Sequence, residues 1–204
     1  MPLSQRPRRS YYIYRMLQTG DVIKSPRGTR VEILENTPER ISFQRTFPPL
    51  TGGTKGKAHR HTSTFETFQL LGGDASALVD GREQQLQPGE TLEIQLGSSH
   101  ANPYTKEGKT ATLVHSVTPR TRGVEVYFTS WLHWLEQGEA DANDEPTTLQ
   151  IAAIIKEGGR AGTWTSRLPV FVQRIGLPIL GLVAELRGIR AVRVAPEPRA
   201  AVTS

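Results

Sequence analysis

From Asp21 to Ser130 apolar and polar residues alternate in short runs that stop at turn residues, the two-residue period of strands with one buried face. The runs are Thr29–Leu34, Arg40–Phe47, His61–Leu71, Ala75–Val79, Thr91–Leu96, Thr110–Val117 and Gly123–Phe128. Between them stand Ser25-Pro26, Pro48-Pro49, Gly52-Gly53, Gly72-Gly73, Asp80-Gly81, Pro88-Gly89 and Pro119, which supply the positive or fixed φ that a reversal needs. Asp80-Gly81 is a two-residue hairpin signal. Many short strands at regular turn spacing predict an all-β unit, an antiparallel sandwich or barrel.

Beyond Ser130 the period lengthens. Trp131, Trp134 and Leu135 sit at helical spacing behind a Thr129/Ser130 cap, and Gly138 ends the segment. Glu139–Pro146 is acidic and turn-rich and reads as a solvated linker. Thr147/Thr148 cap a second apolar segment, Leu149–Glu157, which Gly158-Gly159 stops. Ser166–Gly188 predicts one helix or two, because Pro178 removes a backbone donor at its middle and Gly176 weakens it further. The chain divides into an N-terminal arm (residues 1–20), a β domain (21–130), a small α-helical extension (131–190) and a C-terminal tail (191–204).

Composition narrows the chemistry. The chain has 204 residues, no cysteine and five histidines, His59, His61, His100, His115 and His133. Disulfide scaffolds, thiolate zinc sites and cysteine nucleophiles are excluded, so any metal must be held by His, Asp, Glu or oxygen donors. The net charge of +5 lies mostly at the ends. Residues 1–45 carry nine Lys/Arg against four Asp/Glu and residues 185–204 four against two, whereas 46–184 carry twelve against fourteen. No aromatic-plus-basic platform accompanies the basic ends, so no nucleic-acid partner is expected. The Arg-containing N-terminus lacks the apolar core of a secretory signal, and the longest apolar run, Leu177–Ala184, is too short to span a bilayer. A cytoplasmic protein is expected.

The candidate chemistry lies in two stretches. His59 and His61, two apart on a strand, point the same way, and Glu66 follows after a turn through Thr62–Thr64. Pro88-Gly89 launches a strand further on, and Gly97 allows a turn that aims His100 back. Three imidazoles and one carboxylate suit one divalent ion, Fe, Mn, Co, Ni, Cu or Zn, and leave coordination positions open. Strand alternation puts Phe68 and Leu70 on the same face as Glu66, where they can line an apolar substrate pocket or simply pack as core. Lys57 falls at the mouth or in solvent. One of Gln44 and Arg45 faces inward, and an interior Arg45 would suit an acidic substrate. His115, mid-strand, is a candidate acid/base or substrate contact, with a core or surface histidine as the alternative. His133 reads as a surface position.

These stretches resemble the cupin superfamily. Gly53-x5-His59-x-His61-x4-Glu66-x6-Gly73 fits its first signature position for position. Gly89-x5-Gln95-x-Gly97-x2-His100-x3-Tyr104 fits the second, with Gln95 where the family usually has Pro and Tyr104 where it often has Asn. The resemblance spans Asp21–Phe128 and implies a small β-barrel or jelly roll with a metal at its centre. It also implies chemistry of the dioxygenase, isomerase or lyase type, including secondary metabolism, on a small, mostly apolar molecule. Glu66 would be both ligand and catalytic group. The alternative is a non-enzymatic small-molecule-binding cupin, a sensor or storage-like module. For Leu168–Leu186, packing on the chain's own barrel or in a homodimer is expected over an in-plane membrane anchor, for which Arg174, Arg187 and Arg190 would be the lipid contacts.

Overall fold

The computed structural model describes residues 17–49, 56–159, 163–166 and 169–193. Gly53, Leu168 and most of the expected arm and tail lie outside them. Strands β1 (Val22–Lys24), β2 (Arg30–Asn36), β3 (Ile41–Phe47), β4 (His59–His61), β5 (Phe65–Gly73), β6 (Ala75–Val79), β7 (Arg82–Leu86), β8 (Thr91–Ile94), β9 (His100–Tyr104) and β10 (Ala111–Thr118) precede helices α1 (Arg122–Gln137) and α2 (Thr148–Gly158). Strand β11 (Thr163–Thr165) and helix α3 (Val170–Leu186) complete the order.

The strands form two antiparallel sheets, β1-β2-β3-β10-β5-β8 and β11-β4-β9-β6-β7. Among the described residues no ladder joins them into a closed barrel, so the architecture is a jelly-roll-like sandwich. Alternation decides the faces: Ile41, Phe43, Arg45 and Phe47 of β3 are buried, as are Glu66, Phe68 and Leu70 of β5. Asp80 and Gly81 turn β6 into β7 with φ of 48° and 79°, the positive pair that a tight hairpin demands. That turn, more than side-chain pattern, specifies β7, whose sequence Arg-Glu-Gln-Gln-Leu buries only Leu86.

Two apolar clusters fill the sandwich. Phe47, Leu70, Ala75, Leu86, Ala111 and Leu113 make one. Val31, Ile33, Ile41, Phe43 and Val117 make the other, together with Val124, Phe128, Trp131, Leu132 and Leu135 of α1. On β10, His115 stands between Leu113 of the first cluster and Val117 of the second.

Several expectations change. Gly123–Phe128 is not a strand: α1 begins at Arg122, with the Thr121 hydroxyl accepting from Val124 N–H, so Thr129 and Ser130 lie inside the helix and do not cap it. Val124 and Phe128 face the sheet cluster, whereas Val126 packs with Trp134 and with Ile154 of α2. A helix buried on two faces has apolar residues at 124, 126 and 128, which imitates a strand's period. The boundary expected at residue 130 falls within this helix. Gly138 ends it in the left-handed region at φ 71°, as expected. Thr147 caps α2 through a reciprocal box with Gln150.

The run His61–Leu71 divides at residues 62–64, and its halves belong to different sheets. Ser166 does not open a helix: β11 ends just before it, and α3 is a single helix that accommodates Pro178. The segment Glu139–Pro146 is not a solvated linker. Asp144, almost fully buried, accepts from the Ser25 hydroxyl at 2.8 Å and pairs with Arg27, while its carbonyl accepts from the Trp131 indole at 2.7 Å. Acidic composition suggested solvent; these specific partners bury the segment instead.

Candidate metal centre

The register of the sandwich assembles the cluster. His59 of β4 pairs directly with His100 of β9, and the Gly97 N–H, donating to the His61 carbonyl at 2.8 Å, fixes the turn that delivers His100. The three imidazoles therefore come from one sheet. Glu66 comes from β5 in the other, so the site lies between the layers. One donor atom from each of His59, His61, Glu66 and His100 lies within 4.8 Å of all the rest. Donors bound at about 2.0–2.2 Å to a common ion are separated by at most about 4.4 Å, so the set needs to close by only a few tenths of an ångström to share one.

Each imidazole is oriented by an oxygen behind it. His59 Nδ1 donates to the Lys57 carbonyl at 2.9 Å, His61 Nδ1 meets the Thr163 hydroxyl at 2.9 Å, and His100 Nδ1 faces the Ser98 carbonyl at a longer 3.5 Å. A proton held on Nδ1 leaves the Nε2 lone pair free to ligate. Nε2 of His61 lies 3.2 Å from Glu66 Oε1, yet it is buried and makes no aligned hydrogen bond. An orphaned buried nitrogen beside a carboxylate is what a missing cation would explain. The residues fit a divalent ion.

Electrostatics agrees with that fit. Burial, reinforced by the neighbouring His100, lowers the His59 pKa to about 4, which keeps the ring neutral near pH 7. Burial alone would raise the Glu66 pKa, but His115, together with contacts to His100 and His61, holds it well below the usual carboxylate range. Glu66 is an anion at neutral pH, close to the neutral His59 ring.

The remaining candidates separate. His115 is interior: its Nε2 lies 3.6 Å from Glu66 Oε1, and its ring stacks on Phe68 at 4.2 Å between centroids. Phe68, 6.5 Å from the His100 ring, walls the cluster. Leu70 belongs to the apolar core. Arg45 is interior but already engaged, with Nη1 donating to Glu145 at 2.5 Å and its guanidinium 4.3 Å from the Phe47 ring and 5.0 Å from that of Trp131. It fastens the Glu139–Pro146 segment over the sandwich. Lys57 stands at the rim, donating to the Pro146 carbonyl at 3.0 Å. His133 is half-buried on α1.

Thr163 was not among the residues singled out from sequence. It reaches His61 because β11 pairs antiparallel with β4, setting Thr163 opposite His61 and Thr165 opposite His59. Gln173 of α3 anchors this strand from behind, its side chain accepting from Thr165 N–H at 3.0 Å and donating to the Thr165 carbonyl at 2.9 Å.

No family model and no curated protein matches the sequence. Solved structures do. A KdgF from Halomonas sp. is 19% identical over 49% of this chain and 86% of its own, with a TM-score of 0.41. An RmlC-like cupin from Shewanella frigidimarina is 17% identical over 49% and 84%, with a TM-score of 0.40. The polyketide cyclase RemF from Streptomyces resistomycificus is 20% identical over 52% and 79%, also at 0.40. Likeness at this level transfers neither substrate nor reaction. The two-sheet sandwich and the four donor residues converging between its layers agree with what the cupin resemblance of the sequence implies.

Proposed function

We propose that the chain is a metal-dependent cupin enzyme acting on a small, mostly apolar organic molecule by chemistry of the dioxygenase, isomerase or lyase type. The supporting observation is the cluster of His59, His61, His100 and Glu66, buried between sheets, with the histidine Nδ1 atoms directed at oxygens behind them. A saturated tetrahedral shell marks a structural ion, whereas His and carboxylate donors leave positions for substrate. When bound, a divalent ion supplies Lewis acidity or dioxygen activation at a substrate oxygen.

The chain's own groups perform the rest. His59, His61 and His100 would hold the ion through Nε2. Glu66, ionised at neutral pH, serves as the fourth ligand or receives a proton at a carboxylate oxygen. His115, 3.6 Å from Oε1, steadies that carboxylate in either role. Phe68 gives the interior an apolar wall that excludes water from the reacting atoms.

Protein purified without chelator is expected to carry about one divalent ion per chain, and His59→Ala to carry little. A metal-free protein retaining an organic molecule between its sheets would overturn the enzyme reading and support a binding module.

A further inference from the structure

Helix α3 packs one face into the molecule and leaves an apolar stripe exposed on the opposite one. Gln173, Gly181 and Ala184 are buried, and Gly181 lies so close to α2 that a Cβ there would meet the Ala152 carbonyl at 3.1 Å. On the other side Phe171, Ile175, Ile179, Leu182 and Leu186 are 67%, 66%, 56%, 54% and 88% exposed. Their spacing keeps them within about 80° of arc on a helix of 3.6 residues per turn, so they form one continuous stripe. Exposed Val172 borders the stripe, which is comparable with the largest apolar patch on a typical monomer, ~300–600 Å².

The charges around the stripe are mostly positive. From Val170 to Arg193 the chain carries Arg174, Arg187, Arg190 and Arg193, all exposed, against the single acid Glu185; Glu185 pairs with Lys156 and Arg190, and Arg193 lies 3.6 Å from Glu157 of α2. Arg174 also lies 5.8 Å from the Trp164 ring, beside the N-terminal half of the helix. A second copy docked along this stripe would bring two net-positive helical segments together, a like-charge penalty. An anionic bilayer surface offers acyl chains to the stripe and headgroup phosphates to the arginines. No described helix is long and apolar enough to cross a membrane, and a helix that lies in the interface needs neither property.

We propose that α3 is a membrane-surface element that inserts Phe171, Ile175, Ile179, Leu182 and Leu186 into the outer acyl region of an anionic leaflet, with the arginines at the headgroups. The expectation from sequence, that this helix packs on its own sandwich or a second copy, accounts for the α2-facing side and leaves the stripe open.

The test is co-sedimentation of the full-length protein with vesicles of phosphatidylcholine alone or with about a third phosphatidylglycerol, at about 0.1 M and about 0.5 M salt. Binding is expected with the anionic vesicles, several-fold weaker at the higher salt and roughly tenfold weaker for Ile175→Glu/Leu182→Glu. Both substituted side chains are exposed, and circular dichroism with thermal melting verifies that the variant is folded. Failure of the wild type to bind anionic vesicles, or equal binding by a folded variant, overturns the proposal. A concentration-dependent dimer in sedimentation velocity that the same substitutions abolish, without vesicle binding, overturns it in favour of a second copy.

Discussion

Thr163 offers one hydroxyl to His61 Nδ1 at 2.9 Å, and that contact determines which imidazole nitrogen faces the cluster. Thr163→Val preserves shape and removes the hydroxyl. Metal affinity is expected to fall by about 10–100-fold, the usual cost of losing a hydrogen bond behind a ligating histidine, and Thr163→Ser to recover most of it. Competition with a chromophoric chelator reads the change, and an unaltered melting curve of metal-free protein separates it from a folding defect. The convergence of His59, His61, Glu66 and His100 was legible in the sequence because strand alternation and turn residues dictate which way they point. Thr163 was not. Its role depends on pairing between strands whose partners stand 102 residues apart, and nothing within Thr163-Trp164-Thr165 announces that pairing. The face of His115 became readable only from the register that sets it opposite both Phe43 and Phe68.

At the scale of elements, two glycines in helices respond oppositely to the same change. A Cβ on Gly158, at the end of α2, would lie 2.7 Å from Val126 Cβ of α1, whereas one on Gly176 in α3 would meet nothing within 4 Å. Gly158→Ala is expected to destabilise by about 1–3 kcal/mol through overpacking, although alanine is the better helix former. Gly176→Ala should stabilise by up to about 1 kcal/mol, since only backbone propensity changes. Urea titration of the two variants checks both signs. The close approach of α1 and α2 also shows why Gly123–Phe128 suggested a strand. Val126 is apolar for α2, while Val124 and Phe128 are apolar for the sheet, and periodicity read along one chain cannot separate two partners. Capping was readable in part: Thr147 and Gly138 act within one turn of their own positions, whereas Thr129 and Ser130 lie inside α1, which Thr121 caps.

For the whole molecule, the buried site links global stability to pH. His59 stays neutral in the folded chain down to about pH 4, whereas an unfolded histidine takes up its proton near 6.5. Between those values the unfolded state binds more protons, so stability rises with pH across the window and falls as acid is added. Glu66 contributes in the same direction at lower pH, since its ionised form is favoured by folding and lost once it is protonated. Denaturant titrations of metal-free protein from pH 7 to pH 4 should show this decline, and His59→Gln should flatten its upper part. A profile that is level for the wild type would contradict the neutral, buried imidazole.

The layout of the second sheet also bears on how the molecule can be divided. Strand β4 holds His59 and His61 and has β9 on one side and β11 on the other, so among the described residues its second hydrogen-bonding side is covered by residues that follow α2. A chain ended at Gly159 would leave His59–His61 as a bare sheet margin. Unpaired N–H and C=O groups there would template addition of a foreign strand, and aggregation would begin at the ligands themselves. The helical portion is therefore no detachable appendage to the sandwich: among the described residues it closes the border along which His59–His61 would otherwise recruit other chains.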